Sequence, residues 1–184
     1  MIASDGELAI RLMRDADDDY ERMSRWLSDP RVLEYYEGRD RPYDEAAIRA
    51  KFGPRVMQPD GVTPCIIEWA GEPVGYVQFY PLEEPEVTEY ELAAQDSAFG
   101  FDLFIGETAQ WGRGIGTRAV SLVIRHLFGL GALTVTADPR VSNPRAIRVY
   151  EKAGMAPRKL LPRHELHEDA WHDGWLMAAR SDQV

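Results

Sequence analysis

A lone carboxylate and a glycine-rich turn lie close together in the sequence. Asp102 falls within an alternating segment, Phe99 to Ile105, that predicts a β-strand. The turn Trp111-Gly112-Arg113-Gly114-Ile115-Gly116-Thr117 follows and leads into an amphipathic helix. Its glycines let backbone N–H groups approach a ligand closely, and the helix start favours a phosphate through free donors and a positive dipole end. The spacing predicts a phosphate-bearing cofactor held beside a candidate base.

This turn matches neither of two common phosphate-binding motifs. No Gly-Lys-Ser/Thr follows at the spacing of a Walker A loop. The dinucleotide pattern also fails, because no third glycine stands three positions after Gly114 or Gly116. Taken alone, the turn is equally an ordinary connection between a strand and a helix.

Length and composition are those of one soluble globular domain. The 184 residues, 45% hydrophobic and 28% charged, suffice for a single core, and we expect one domain over residues 1–184. No apolar run approaches the roughly 20 residues of a membrane span, and the N-terminal residues lack the pattern of a secretory signal. The single cysteine, Cys65, excludes an internal disulfide and a cysteine-built metal site. We expect a cytoplasmic protein that does not bind membranes.

Charge is distributed unevenly along the chain. The formal net charge of −10 argues against a general nucleic-acid binder. Residues 56–112 contain 11 acidic residues and no Lys or Arg, whereas residues 113–163 contain 10 basic and two acidic residues. The change of sign falls at the glycine-rich turn, which predicts an anionic cofactor on one side and a cationic acceptor on the other. An acidic surface that serves only solubility is the alternative.

Hydrophobic periodicity predicts an α/β domain with the element order βααβββαβαββ and a mixed sheet. The predicted strands are Leu8–Met13, Thr63–Ala70, Val74–Tyr80, Phe99–Ile105, Leu133–Ala137, Met155–Leu161 and Trp171–Arg180. Four helices are predicted. The first is capped by Asp15 or Asp17, and the second runs from Tyr43 to Phe52 with Asp44 as its cap. The third begins at the glycine turn and ends at Gly129 to Gly131, and the fourth is capped by Asn143. Residues 81–97 are predicted to form a long acidic loop. The loop either has a function or is a solvent-exposed insertion.

Several stretches together resemble one enzyme superfamily. They are Gly114-Ile115-Gly116, the segment from Asn143 to Met155, Gly71-Glu72-Pro73-Val74-Gly75-Tyr76, Ala137-Asp138-Pro139 and His164-Glu165-Leu166-His167-Glu168. With them the chain resembles the GCN5-related N-acetyltransferases and, more narrowly, the aminoglycoside 6′-N-acetyltransferases. The last stretch is most similar to the acetyltransferase half of the bifunctional aminoglycoside-modifying enzymes. The chain departs from the family pattern at Trp111, where Gln or Arg is usual, and at Val87, where some relatives have an aspartate.

The resemblance implies a fold, a co-substrate and a reaction. The fold is a mixed, mostly antiparallel sheet flanked by helices, and the co-substrate is acetyl-CoA. The reaction is direct transfer of the acetyl group to a primary amine, the 6′-amine of an aminoglycoside, which confers antibiotic resistance. The alternatives are acylation of a hydroxylysine-type siderophore precursor, acetylation of a protein, and a catalytically inactive acetyl-CoA sensor. We expect a monomer or a homodimer.

The same resemblance implies roles for individual residues. Asp102 is the candidate base, acting directly or by orienting the amine while water takes the proton, and Tyr150 is the candidate general acid for the leaving thiolate. Ordinary structural roles are the alternatives, a hydrogen-bonded strand end for Asp102 and helix packing for Tyr150. The implied cofactor-binding residues are Phe104, Ile105, Arg113, Gly114, Ile115, Gly116, Thr117, Asn143 and Ala146. The implied acceptor-binding residues are Tyr35, Tyr36, Glu89, Asp102, Asp138, Glu165 and Glu168. The histidines of the run from His164 to His167 are interpreted without a metal.

Overall fold

One eight-stranded sheet runs through the part of the chain that the computed structural model describes, residues 1–57, 61–93 and 97–183. The strand order is β1-β2-β3-β4-β5-β6-β8-β7, and within this sheet the β5–β6 pair is parallel while the other pairs are antiparallel. The strands are β1 (Ala3–Asp5), β2 (Leu8–Leu12), β3 (Thr63–Trp69), β4 (Glu72–Pro81), β5 (Ala98–Ile105), β6 (Thr134–Ala137), β7 (Ala156–His167) and β8 (Ala170–Arg180).

Helices cover both faces of this sheet. They are α1 (Asp17–Trp26), α2 (Pro30–Leu33), α3 (Glu45–Met57), α4 (Glu86–Glu89), α5 (Ile115–Gly129) and α6 (Pro144–Lys152), with short 3-10 helices at Thr108–Gln110 and Ser181–Gln183. None of the helices in the described part of the chain combines the length and the apolar character that a membrane crossing requires.

The two faces of the sheet carry two separate hydrophobic cores. Because successive strand residues point to opposite faces, neighbouring residues such as Ile66 and Ile67 of β3 belong to different cores. The first core packs against α5 and α6 and the second against α1 and α3. The central strands are therefore covered on both sides, which holds β4 and β5 rigidly in the middle of the molecule.

A buried carboxylate ties α1 to β2. Asp19 accepts hydrogen bonds from the guanidinium of Arg11 at 2.6 and 2.7 Å and from the backbone N–H of Arg14 at 2.8 Å. Burial by itself raises the pKa of Asp19, but the hydrogen bonds from Arg11 and Arg14 lower it to about 2. The carboxylate is therefore ionised at neutral pH and fixes the first turn of α1.

The predicted elements are all present, with corrections at their ends. The predicted cap of α1 is wrong, since Ala16 is the N-cap and Asp15 instead accepts a hydrogen bond from the Tyr20 hydroxyl at 2.8 Å. Asp44 and Asn143 do cap their helices, through bonds from the N–H groups of Ala47 and Ala146.

Four further differences concern strands and helices. The sequence pattern missed β1, which has only three residues and none buried. The helix α3 continues past Pro54 to Met57, and β7 continues past Leu161 to His167. The predicted acidic loop contains the short helix α4. Residues 94–96 of that loop, including Asp96, and Asp60 lie outside the described residues.

We predict that Gly106→Ala destabilises the protein. A Cβ at this position would lie 2.2 Å from Cγ of Trp26, a side chain that is 1% exposed and cannot move aside. Overpacking of this kind costs about 1–3 kcal/mol, and each kcal/mol lowers the Tm of a chain of this size by about 2–4 °C. Thermal unfolding measures the effect. The control is Gly129→Ala in α5, where an added Cβ would meet no atom within 4 Å apart from its own helix and chain neighbours. We expect this variant to leave the Tm unchanged or slightly raised. Equal Tm values for both variants would contradict the prediction.

Candidate active site

The sheet splits between its two parallel strands. Residues Ala98–Gly100 of β5 pair with Thr134–Thr136 of β6, after which β6 ends at Ala137. Pro139 follows and cannot donate a backbone hydrogen bond, whereas β5 continues to Ile105 with only β4 beside it among the described residues. A cleft of about 790 Å³ opens at this split, between the start of α5, the helix α6 and the segment around α2.

One end of the cleft is formed by the glycine-rich turn. Gly114 is the N-cap of α5 with a φ of 80°, a left-handed conformation that explains the glycine. No side chain in the described part of the protein caps the helix, and its first turn holds no acidic residue, so free N–H groups and the positive dipole end face the cleft. Of the predicted cofactor-binding residues, the structure brings eight to the cleft: Phe104, Ile105, Gly114, Ile115, Gly116, Thr117, Asn143 and Ala146.

Arg113 is the predicted cofactor-binding residue that does not line the cleft. Its guanidinium donates a hydrogen bond of 2.5 Å to the side chain of Gln110, which turns it outward. Its place on the cleft wall is taken by a row of cations on α6, Arg145, Arg148 and Lys152, which sequence reasoning missed. Their spacing of three and four residues places them on one helix face and was the signal available.

Trp111, the residue at which the chain departs from the family pattern, contacts two neighbouring segments. Its indole N–H donates to the carbonyl of Ile105 at 2.7 Å, and the guanidinium of Arg145 lies 4.0 Å from the centre of its ring. The side chain thus links the turn, the end of β5 and α6, and a cation–π contact holds Arg145 at the cleft.

Asp102 lies in the middle of the cleft with a fixed hydrogen-bond donor. The amide nitrogen of Gln78 donates to its carboxylate at 2.7 Å. The amide oxygen of Gln78 accepts from the Tyr76 hydroxyl at 2.9 Å and from Arg55 at 2.8 Å, so the amide cannot turn around. Gln78 and Arg55 were both missed, because their sequence separation from Asp102 conceals the contact.

Burial raises the pKa of Asp102 to about 6, and the nearby carboxylate of Asp138 adds to this effect. The hydrogen bond from Gln78 opposes both and favours the ionised form. Asp102 is therefore an anion at neutral pH, but a more basic one than an exposed aspartate.

Tyr150 lines the same cleft from α6. Its ring packs edge-on against Phe101 with 5.7 Å between the ring centres. Burial first, and then the carboxylate of Asp102, raises the pKa of the Tyr150 hydroxyl well above its usual range. The hydroxyl keeps its proton at neutral pH, and the residue both packs in the core and lines the cleft.

The other end of the cleft carries four of the predicted acceptor-binding residues besides Asp102. These are Tyr35, Tyr36, Asp138 and Glu165. Tyr36 packs against Phe104 with 4.7 Å between ring centres, and the Tyr35 hydroxyl donates to the carbonyl of Ser142 at 3.2 Å across the cleft.

Two predicted acceptor-binding residues are not brought to the cleft. Glu89, on α4, is half-exposed with its carboxylate 3.6 Å from a ring nitrogen of His164. Glu168 lies in the turn after β7 and accepts two hydrogen bonds from the guanidinium of Arg39, at 2.7 and 2.8 Å. The hydrogen bonds from Arg39 lower the pKa of Glu168 to about 2.

The histidine run lies on β7, where hydrogen bonds to neighbouring segments account for both imidazoles. His164 lies 2.7 Å from the Asp138 carboxylate, and His167 lies 2.9 Å from the carbonyl of Glu37. The hydrogen bond with Asp138 raises the pKa of His164. Within residues 1–57, 61–93 and 97–183, no three His, Cys, Asp or Glu side chains are grouped as a metal site would require.

A split parallel pair, a glycine-rich helix start and a carboxylate on the longer strand define a class of protein. The sequence model described as acetyltransferase (GNAT) domain matches residues 15–162, and the chain belongs to this family. The predicted superfamily and its mostly antiparallel sheet are thereby confirmed.

Several known proteins are similar to this chain over different lengths. The aminoglycoside N(6′)-acetyltransferase type 1 of Klebsiella pneumoniae is 32% identical over 152 residues, which cover 82% of this chain and 75% of that protein. A kanamycin resistance protein of Rhizobium radiobacter is 43% identical over 56 residues, covering 30% of this chain and 52% of that protein. The crystal structure of the aminoglycoside acetyltransferase AAC(6′)-Ib in complex with coenzyme A and kanamycin has a TM-score of 0.76 at 27% identity, covering 96% of both chains.

We predict that Asp102→Asn stabilises the protein at pH 8 but not at pH 4. The pKa of Asp102 is higher in the folded chain than the ordinary 3.8, so stability falls as the pH rises from about 4 through 6 and the buried group ionises. Asparagine resembles the protonated acid at every pH. The difference in Tm between variant and wild type, measured at both pH values, tests this.

Asp19→Asn is the control, because we expect it to lower the stability of the protein instead of raising it. Because the pKa of Asp19 is lowered to about 2, its ionised form stabilises the fold at both pH values, and the variant has a lower Tm at pH 8 and at pH 4. An Asp102→Asn difference that is the same at pH 4 and pH 8 would contradict the prediction.

Proposed function

We propose that this chain is an aminoglycoside 6′-N-acetyltransferase that uses acetyl-CoA and thereby confers antibiotic resistance. One observation carries the proposal: a carboxylate, Asp102, and a protonated tyrosine, Tyr150, line the same cleft as the free N–H groups at the start of α5. The similarity to an aminoglycoside N(6′)-acetyltransferase over 82% of the chain supports this substrate class. We propose the cytoplasm as its place of action.

The cofactor end of the cleft suits the polyanionic part of coenzyme A. The helix start at Gly114 offers backbone donors for the diphosphate, and Arg148 and Lys152 add positive charge beside it. The side of β5 that no strand covers, at Phe104 and Ile105, offers backbone groups to the amide-bearing arm and to the carbonyl of the thioester. Such donors stabilise the oxyanion that forms during acyl transfer.

Asp102 binds the attacking amine and accepts its proton. A primary amine is largely protonated at neutral pH, so it enters as an ammonium ion that the Asp102 anion attracts. A carboxyl group with a pKa of about 6 is a stronger base than an exposed aspartate, and burial is the main cause. One proton first passes to Asp102, or to water ordered beside it, which frees the nitrogen lone pair for attack on the thioester carbonyl. The second proton leaves the nitrogen after the C–N bond has formed and restores the Tyr150 hydroxyl once that hydroxyl has protonated the thiolate.

Tyr150 donates a proton to the leaving thiolate. When the C–S bond of the thioester breaks, the electron pair remains on sulfur, and the thiolate takes the proton of the Tyr150 hydroxyl. The raised pKa of Tyr150 keeps this proton in place until the thiolate forms. Holding both substrates in one cleft lowers the activation free energy further, by about 7–11 kcal/mol in well-oriented systems.

We predict that neomycin is acetylated and that paromomycin is not, since the two differ only by an amine or a hydroxyl at the 6′ position. Thiol release from acetyl-CoA, followed by mass analysis of the product, measures the reaction. A lysine-rich peptide and a hydroxylysine derivative complete the panel of acceptors. Equal acetylation of both antibiotics would place the reaction on a different amine. Turnover with only the peptide or only the hydroxylysine derivative would move the function to a protein or siderophore-precursor acyltransferase.

We further predict that Tyr150→Phe lowers kcat about 10²-fold while the KM for acetyl-CoA changes little. Phenylalanine keeps the packing against Phe101 and removes only the hydroxyl. Steady-state kinetics with kanamycin measure the effect. Tyr20→Phe is the matched control, because its buried hydroxyl donates to Asp15 at 2.8 Å and neither residue lines the cleft. A Tyr150→Phe enzyme with normal kcat would remove this residue from the chemistry.

A further inference from the structure

The carboxylates at the acceptor end of the cleft differ in whether a cation already compensates them. Three of them are paired: Glu37 with Lys51, Asp138 with His164 at 2.7 Å, and Glu165 with Arg140 at 3.0 Å. Among the described residues, Asp102 has no cationic partner within salt-bridge distance, and its hydrogen bond comes from the neutral amide of Gln78. Asp102 is therefore the acceptor-end carboxylate that is left to receive an ammonium group.

Arg140 has a hydrogen-bonding nitrogen without a partner. Its side chain is 7% exposed and lines the cleft. Its Nε donates to Glu165 and its Nη1 donates to the carbonyl of Glu34, both at 3.0 Å. Within the described residues its Nη2 is buried and meets no acceptor. Since a buried charged donor without an acceptor is costly, a shift of the side chain that lets this nitrogen reach an oxygen atom of a bound molecule would stabilise the complex.

We propose that Arg140 and Glu165 form a subsite for a hydroxyl group of the acceptor, and that this subsite rejects a second ammonium group there. The inference rests on the proposed function. A hydroxyl accepts from the free Nη2 of Arg140 while it donates to the carboxylate of Glu165. The substrate class is thus an amino sugar that presents one ammonium group to Asp102 and a hydroxyl on the same ring to this pair.

The chemistry of the pair explains the discrimination. A guanidinium is always charged and only donates hydrogen bonds, so it attracts a hydroxyl oxygen and repels an ammonium group. Glu165 cannot compensate that repulsion, because its own charge is already offset by Arg140. Specificity here comes from an unfavourable contact with the wrong group as much as from a favourable contact with the right one.

Kanamycin A and kanamycin B test this subsite. They differ only by a hydroxyl or an amine at the 2′ position of the ring that carries the 6′-amine. We expect the wild-type enzyme to favour kanamycin A in kcat/KM by about tenfold, the effect of one hydrogen bond to a charged group. Arg140→Met keeps the apolar stem and removes the charge, which exposes the Glu165 carboxylate. We expect it to abolish or reverse the preference.

Arg39→Met is the matched control. It breaks a similar Arg–Glu pair, with Glu168, that does not line the cleft, and we expect it to keep the wild-type preference. Equal kcat/KM values for the two antibiotics in the wild type, or the same ratio in Arg140→Met as in the wild type, would overturn the subsite.

A second variant covers the case in which Arg140→Met fails to fold. Glu165→Gln leaves the guanidinium uncompensated, so we expect the preference for kanamycin A to increase, and an unchanged ratio would overturn the subsite. Failure of the wild type to acetylate either antibiotic would instead overturn the proposed function, so the two failures are distinguishable.

Discussion

The early end of β6 is the constraint on which the rest of the site depends. A parallel pair that stops after three residues leaves β5 uncovered over its second half. A gap of this kind persists only if the strand beside it is held firmly from elsewhere, and here β4 pairs with β5 from Phe99 to Ile105. The two hydrophobic cores then clamp both strands from above and below. The cleft is therefore a rigid opening, which suits a reaction that depends on holding two substrates in line.

Charge is organised along this cleft by the elements that border it. At one end, a helix start and the cations of α6 produce a positive surface. At the other end, carboxylates from several segments meet, but most of them are paired with cations. The asymmetry in the sequence predicted an acidic acceptor site, and among the residues that the structure describes Asp102 is a carboxylate without a cationic partner beside others that form ion pairs. Local pairing, rather than net charge, then determines where an ammonium group is attracted.

Local signals in the sequence predicted most elements, because a helix or a strand is encoded by neighbouring residues. The cap at Asn143 and the apolar face of α5 were read correctly for this reason. The cap of α1 was misread because Ala16 has no side-chain acceptor and Asp15 bonds elsewhere. The three-residue strand β1 was too short to show a period. The resemblance to a family supplied the roles of Asp102 and Tyr150, which composition and periodicity could not.

By itself, then, the sequence determined the fold class and the glycine-rich helix start, since each depends on residues close together in the chain, while the role proposed for Asp102 came from the resemblance to a family. Only the tertiary structure showed that Gln78 fixes the carboxylate of Asp102 and that Arg140 pairs with Glu165. It also placed Glu168 on Arg39 and Arg113 on Gln110, outside the cleft. The physical reason is that a side chain's partner is decided by strand register and helix packing. These bring together residues that are far apart in sequence, and no local pattern records their meeting.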